Sequence, residues 1–64
     1  MGQDEILEWL IKHREGTIRQ IAEGTGMRKD NVSYTVGRLE RKVGIRINRK
    51  WMHDGRVIYE LVEW

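Results

Sequence analysis

Between Arg28 and Arg56 the chain carries nine basic side chains against three acidic ones, Asp30, Glu40 and Asp54, a balance of +6. Residues 1 to 27 run the other way, with Lys12, Arg14 and Arg19 against five carboxylates, a balance of −2. The formal net charge of +2 therefore hides a segregated basic half. That is what phosphate binding would use, because every phosphate neutralised by Lys or Arg releases a condensed counterion, and a solvated surface whose charges cluster is the alternative. Catalytic chemistry finds no comparable support. His13 and His53 fall in different elements, cysteine is absent, and the spacings of a nucleophile elbow, a phosphate-cradling loop or a dinucleotide fingerprint do not occur. The glycines of Glu23-Gly24-Thr25-Gly26 lack the lysine and preceding strand of a phosphate loop. An enzyme, a metal site and a cofactor are not expected.

Sixty-four residues bound what can position those cations. A chain this short forms one domain, 1–64, that buries about 60% of its unfolded surface. With no cysteine, no disulfide or thiolate metal can staple it, so packing or a partner must hold it together. At 34% charged and 39% hydrophobic residues the composition is that of a soluble folded domain. No apolar run is long enough for a membrane span or a signal-peptide core, so no membrane partner and a cytoplasmic location are expected.

The periodicity places three helices ahead of a hairpin. Asp4 as N-cap, with Ile6, Leu7, Leu10 and Ile11 on one stripe, predicts a first helix over about 4–14. Thr17 and Gln20 form a capping-box pattern for a second helix over about 18–24, stopped by Gly24 and Gly26. A third runs over about 29–43, with Asp30 in its first turn and Val32, Val36, Leu39 and Val43 facing the core until Gly44 stops it. The period then drops to two over about 45–62. A three-residue loop, His53-Asp54-Gly55, with Gly55 left-handed, would pair Trp51 with Val57, Arg49 with Tyr59 and Ile47 with Leu61.

Two helices joined at a glycine turn, the second long and basic, followed by a β-hairpin, have the order of a winged helix-turn-helix. IRQIAEGTGMRKDNVSYTVG (Ile18 to Gly37) resembles the helix-turn-helix of that family. Ile21 would be its buried residue, Ala22 the small residue where the helices cross, Gly26 the turn glycine, Met27 the apolar residue after it and Val32 the anchor of the recognition helix. Thr35 departs from the pattern, which usually has a branched aliphatic residue there. NVSYTVGRLERKVG (Asn31 to Gly44) is similar to the recognition helix of MarR-type regulators, and EILEWLIKH (Glu5 to His13) to the first helix of the small stand-alone fimbrial-operon regulators of the PapI and FaeA type. The resemblance implies an α+β fold, three helices followed by a two-stranded β-hairpin wing, and a transcriptional regulator that binds double-stranded DNA.

On that reading helix 3 enters the major groove. With Val32, Val36, Leu39 and Val43 inward, Asp30, Tyr34, Gly37, Arg38 and Arg41 face outward, flanked by Asn31 and Ser33. Arg38 suits guanine and Asn31 adenine, Ser33 and Tyr34 suit bases or phosphates, and Arg28 and Lys29 at the helix start suit phosphates. Arg49 and Arg56 are the candidate contacts of the wing with the minor groove or the flanking backbone. Gly37 in mid-helix either permits close approach of DNA or is an exposed site without consequence. Trp51 and Tyr59 are expected to brace the hairpin as cross-strand aromatics, with stacking on unpaired bases as the alternative. Trp9 and Trp64 either supplement the core or make a homodimer contact. Two other classes of function stay open, a protein-interaction adaptor docking through Trp9 and an RNA or single-strand binder using Trp51 and Tyr59.

Overall fold

A computed structural model describes residues 2–64. The order is α1 (Gly2–His13), β1 (Glu15–Thr17), α2 (Ile18–Thr25), α3 (Lys29–Glu40), β2 (Arg46–Trp51) and β3 (Val57–Glu63). It is an α+β arrangement of three helices and one antiparallel sheet of strand order β1-β3-β2. No described helix is long and apolar enough to cross a membrane.

Each helix end has a local cause. α1 begins at Gly2, so Asp4 is not its N-cap but lies within the first turn, where its charge complements the positive end of the helix. It ends at His13 because Arg14 turns left-handed, with φ of 75°, and donates its N–H to the Leu10 carbonyl at 2.7 Å. A non-glycine residue in that region is strained. Two contacts hold it there: the Arg14 carbonyl accepts from the Leu61 N–H at 2.9 Å, and the guanidinium lies 5.1 Å from the centre of the Trp64 ring. α2 carries the expected capping box, Thr17 Oγ1 accepting from the Gln20 N–H and Gln20 Oε1 accepting from the Thr17 N–H. Gly24 does not stop this helix. Gly26 does, at φ of 76°, where a side chain would be strained.

α3 stops at Glu40, about a turn short of the expected 43, capped by Arg41 in right-handed geometry. Val43 therefore leaves the apolar row and is fully exposed. The core is built from Ile6 and Leu10 of α1, Ile21 and Ala22 of α2, Val32, Val36 and Leu39 of α3, and Ile47, Tyr59 and Leu61 of the sheet. Truncating a fully buried member such as Leu39 to alanine costs about 2–5 kcal/mol. Thr35, only 8% exposed, occupies an inward position of α3.

The expected hairpin register is present, Trp51 opposite Val57, Arg49 opposite Tyr59 and Ile47 opposite Leu61. Met52 donates its N–H to the Arg56 carbonyl at 2.8 Å across His53-Asp54-Gly55, and Gly55 has φ of 88°. The sheet, however, has a third strand that the periodicity did not predict. β1 pairs with the outer edge of β3, Gly16 opposite Tyr59, and ties the connection between the first two helices to the hairpin.

Trp9 is half-buried and fills the space between α1 and α2. A Cβ on Gly16 would lie 2.5 Å from Trp9 Cη2, and one on Gly24 would overlap the indole nitrogen. The His13 ring stacks on the same indole at 4.1 Å. Trp9 is thus part of the packing between helices, whereas Trp64 stays largely exposed.

Candidate nucleic-acid interface

Spacing alone places Tyr34, Arg38 and Arg41 on one side of α3, at i, i+4 and i+7. With Ser33, Gly37 and Lys42 they line an open notch of about 630 Å³. Gly37 forms its floor, and a Cβ built there meets nothing within 4 Å. Arg38 Nη1 donates to Tyr34 Oη at 3.1 Å, and its guanidinium lies 5.7 Å from the centre of that ring. The aromatic ring thereby steadies a cation that would otherwise sample many rotamers.

The notch holds three cations, Arg38, Arg41 and Lys42, and no acidic side chain lines it. Among the described residues none of the three makes an ion pair. The same holds for Arg28, Lys29 and Arg46. Arg28 is the N-cap residue of α3, and Lys29 opens the helix. Asn31 is exposed in the first turn, its backbone N–H donating to Asp30 Oδ1 at 3.0 Å.

A second groove of about 860 Å³ lies between the starts of α2 and α3 and the hairpin turn. Arg19, Lys29 and Arg56 line it together with Glu23 and Asp30, so its field is mixed. The structure thus gathers Ser33, Tyr34, Arg38 and Arg41 into one surface and leaves Arg28, Lys29 and Asn31 at the start of the same helix. Arg56, on the hairpin, shares the second groove with Lys29, and Arg49 stands apart from both groups.

The hairpin cations are engaged within the molecule. Arg49 donates through Nη2 to Glu40 of α3, and its guanidinium lies 5.4 Å from the centre of the buried Tyr59 ring. The hydrogen bond to Glu40 raises its pKa above the ordinary arginine value. Lys50 sits between Glu60 at 3.4 Å and Glu15 at 3.5 Å, with its pKa raised first by the bond to Glu60. Arg56 donates its backbone N–H to Asp54 Oδ1 at 3.1 Å and its Nε to Asp54 Oδ2 at 2.6 Å. Those bonds, the backbone one first, lower the Asp54 pKa below the usual carboxylate value.

The aromatic residues of the hairpin part company. Tyr59 is buried, as bracing requires, whereas Trp51 is 74% exposed and does not brace anything by burial. Lys42 is missed by the outward-face reading, which runs the helix to about 43, whereas α3 ends at Glu40 and Lys42 joins the notch from beyond it. Its spacing of four from Arg38 was the available signal. No group of three or more His, Cys, Asp or Glu side chains that could hold a metal gathers among the described residues. Comparison with known protein families, with curated proteins and with solved structures finds no match for this chain.

Proposed function

We propose that this chain is a winged helix-turn-helix domain that binds double-stranded DNA in a sequence-dependent manner, as a small transcriptional regulator does. α3 is the recognition helix and enters the major groove, and the β2–β3 hairpin is the wing beside it. The observation that carries the reading is the notch of α3, where Arg38, Arg41 and Lys42 surround Gly37 with no acidic side chain among the lining residues. An exposed helix face must be polar in any case, but the neighbouring groove, with Glu23 and Asp30 beside Arg19, Lys29 and Arg56, has mixed signs where the notch has one. Support also comes from the turn, where Gly26 ends α2 in left-handed geometry and the small, buried Ala22 lets α3 approach.

The roles divide by position. Arg38, held over Tyr34, presents a planar fork suited to the O6 and N7 atoms of guanine. Asn31 and Ser33 flank it within reach of neighbouring bases. Arg28, Lys29, Arg41 and Lys42 lie toward the two ends of the helix, where phosphates pass on either side of a groove. The test is a gel-shift series on selected duplexes. Arg38→Ala is expected to weaken binding and relax base preference by about 1–3 kcal/mol at one position, while Lys29→Ala weakens binding evenly across sequences. Duplex affinity indifferent to both substitutions would overturn the reading.

A further inference from the structure

Arg49 and Trp51 stand two residues apart on β2 and project from the same face of the hairpin. Arg49 reaches Glu40, so that face turns toward the flank of α3 on which Ser33, Gly37 and Glu40 follow one another at helical spacing. Gly37 and Ser33 belong to the cationic notch. Trp51 continues the Arg49 row about 7 Å nearer the turn. There it is 74% exposed, with Met52, 44% exposed, next to it. A ligand that seated in the notch and extended toward the hairpin would pass Arg49 and then have Trp51 as the exposed aromatic on that face.

The charges around that tip argue against a phosphate clamp. Arg49, Lys50 and Arg56 face four carboxylates, Glu40, Glu15, Glu60 and Asp54, so this part of the hairpin is not cationic on balance. What it offers to a neighbour is apolar surface. A polyanion drawn to Arg38, Arg41 and Lys42 has one apolar component to give in return, the faces of its bases.

We infer that Trp51, supported by Met52, is a wedge that enters a base step beside the groove occupied by α3 and partly unstacks it, so that the hairpin acts through base contact and not through charge. This rests on the DNA-binding reading above. Apolar side chains pushed between base steps kink the duplex, and the cost is least where the stack is already weakened. Such a wedge favours a duplex carrying a mismatched step over the same duplex fully paired.

The test uses the full chain and three probes: a mixed-sequence duplex, the same duplex with one mismatched step reported by 2-aminopurine beside it, and the single strand. The wild type is expected to bind the mismatched duplex about tenfold more tightly than the paired one and to brighten the 2-aminopurine, in line with the energy of aromatic–base stacking. Trp51→Ala removes the preference and the brightening while its circular dichroism and the salt dependence of its binding stay those of the wild type. Trp51→Phe restores part of the preference, and Trp64→Ala leaves it intact. An unchanged mismatch preference in Trp51→Ala overturns the wedge and leaves DNA binding standing. Tightest binding to the single strand, lost in Trp51→Ala, overturns it in favour of stacking on unpaired bases. Failure of the wild type to bind any duplex removes the wedge and the DNA-binding reading together.

Discussion

Arg49 on β2 donates to Glu40 in the last turn of α3, and this ion pair joins the end of the helix to the hairpin. It also neutralises a cation that sequence alone would assign to DNA. Both side chains are partly exposed, 44% and 27%, so solvent screening limits the pair to about 1 kcal/mol or less. Arg49→Ala is therefore expected to lower stability slightly in urea titrations and to leave the salt dependence of duplex binding unchanged. Glu40→Gln, which releases the guanidinium and removes a negative charge from the flank of α3, is expected to raise duplex affinity severalfold. Reduced affinity in Glu40→Gln would show that the carboxylate helps to bind.

Gly37 separates stability from function. A glycine in mid-helix costs about 1 kcal/mol relative to alanine, and a Cβ at this position has open space around it. Gly37→Ala should unfold at higher urea concentration than the wild type. If DNA approaches the floor of the notch, the same variant should bind duplex more weakly. Greater stability with unchanged affinity would mean that the floor is not approached.

Gly24 presents the opposite case in α2. Alanine is the better helix former, but its Cβ would run into the Trp9 indole. Gly24→Ala is expected to destabilise the domain by about 1–3 kcal/mol through overpacking. In a Trp9→Ala background the sign reverses, because the obstruction is gone and helix propensity alone remains. A double-mutant cycle by thermal or urea unfolding measures the reversal.

The Asp54 pKa is lowered in the fold, chiefly by the hydrogen bond from the Arg56 backbone N–H. A depressed carboxylate contributes stability above its unfolded pKa and loses it as pH falls through the folded value. The contribution of Asp54 to the hairpin turn is therefore constant near neutrality and is lost only in acid, below the ordinary Asp range. The Arg56 amide resonance followed through an acid titration should report that midpoint, and Asp54→Asn should abolish it. A midpoint above the ordinary Asp value would contradict the bond.

The parts legible in the sequence are those set by neighbours along the chain. The capping box of Thr17 and Gln20, the left-handed Gly26 and Gly55, and the register of Ile47, Arg49 and Trp51 against Leu61, Tyr59 and Val57 all follow from local spacing. What escaped depends on residues far apart. β1 is three residues long and exists because β3 offers an edge to Glu15–Thr17, so no alternation could mark it. Val43 keeps the apolar spacing of α3, yet the helix has already ended at Glu40. Arg14 adopts a glycine-like φ that its residue type disfavours, held by a carbonyl bond to β3. In the candidate site the outward face of α3 was readable from helical spacing, whereas the neutralisation of Arg49 by Glu40 and of Lys50 by Glu15 and Glu60 was not. Trp51 reads in the sequence as a cross-strand brace, with stacking on unpaired bases as the alternative, because the register pairs it with Val57. It is exposed because it lies on the outer part of the hairpin, past the buried Ile47.

The most direct test of the account is the salt dependence of duplex binding, measured as the slope of log K against log salt for the wild type, for Arg41→Ala/Lys42→Ala and for Arg49→Ala. If the notch of α3 holds the phosphates, the wild-type slope is steep, the double variant loses about two units of it, and Arg49→Ala keeps it whole. Equal slopes in the wild type and the double variant, or duplex binding that ignores salt, would contradict it.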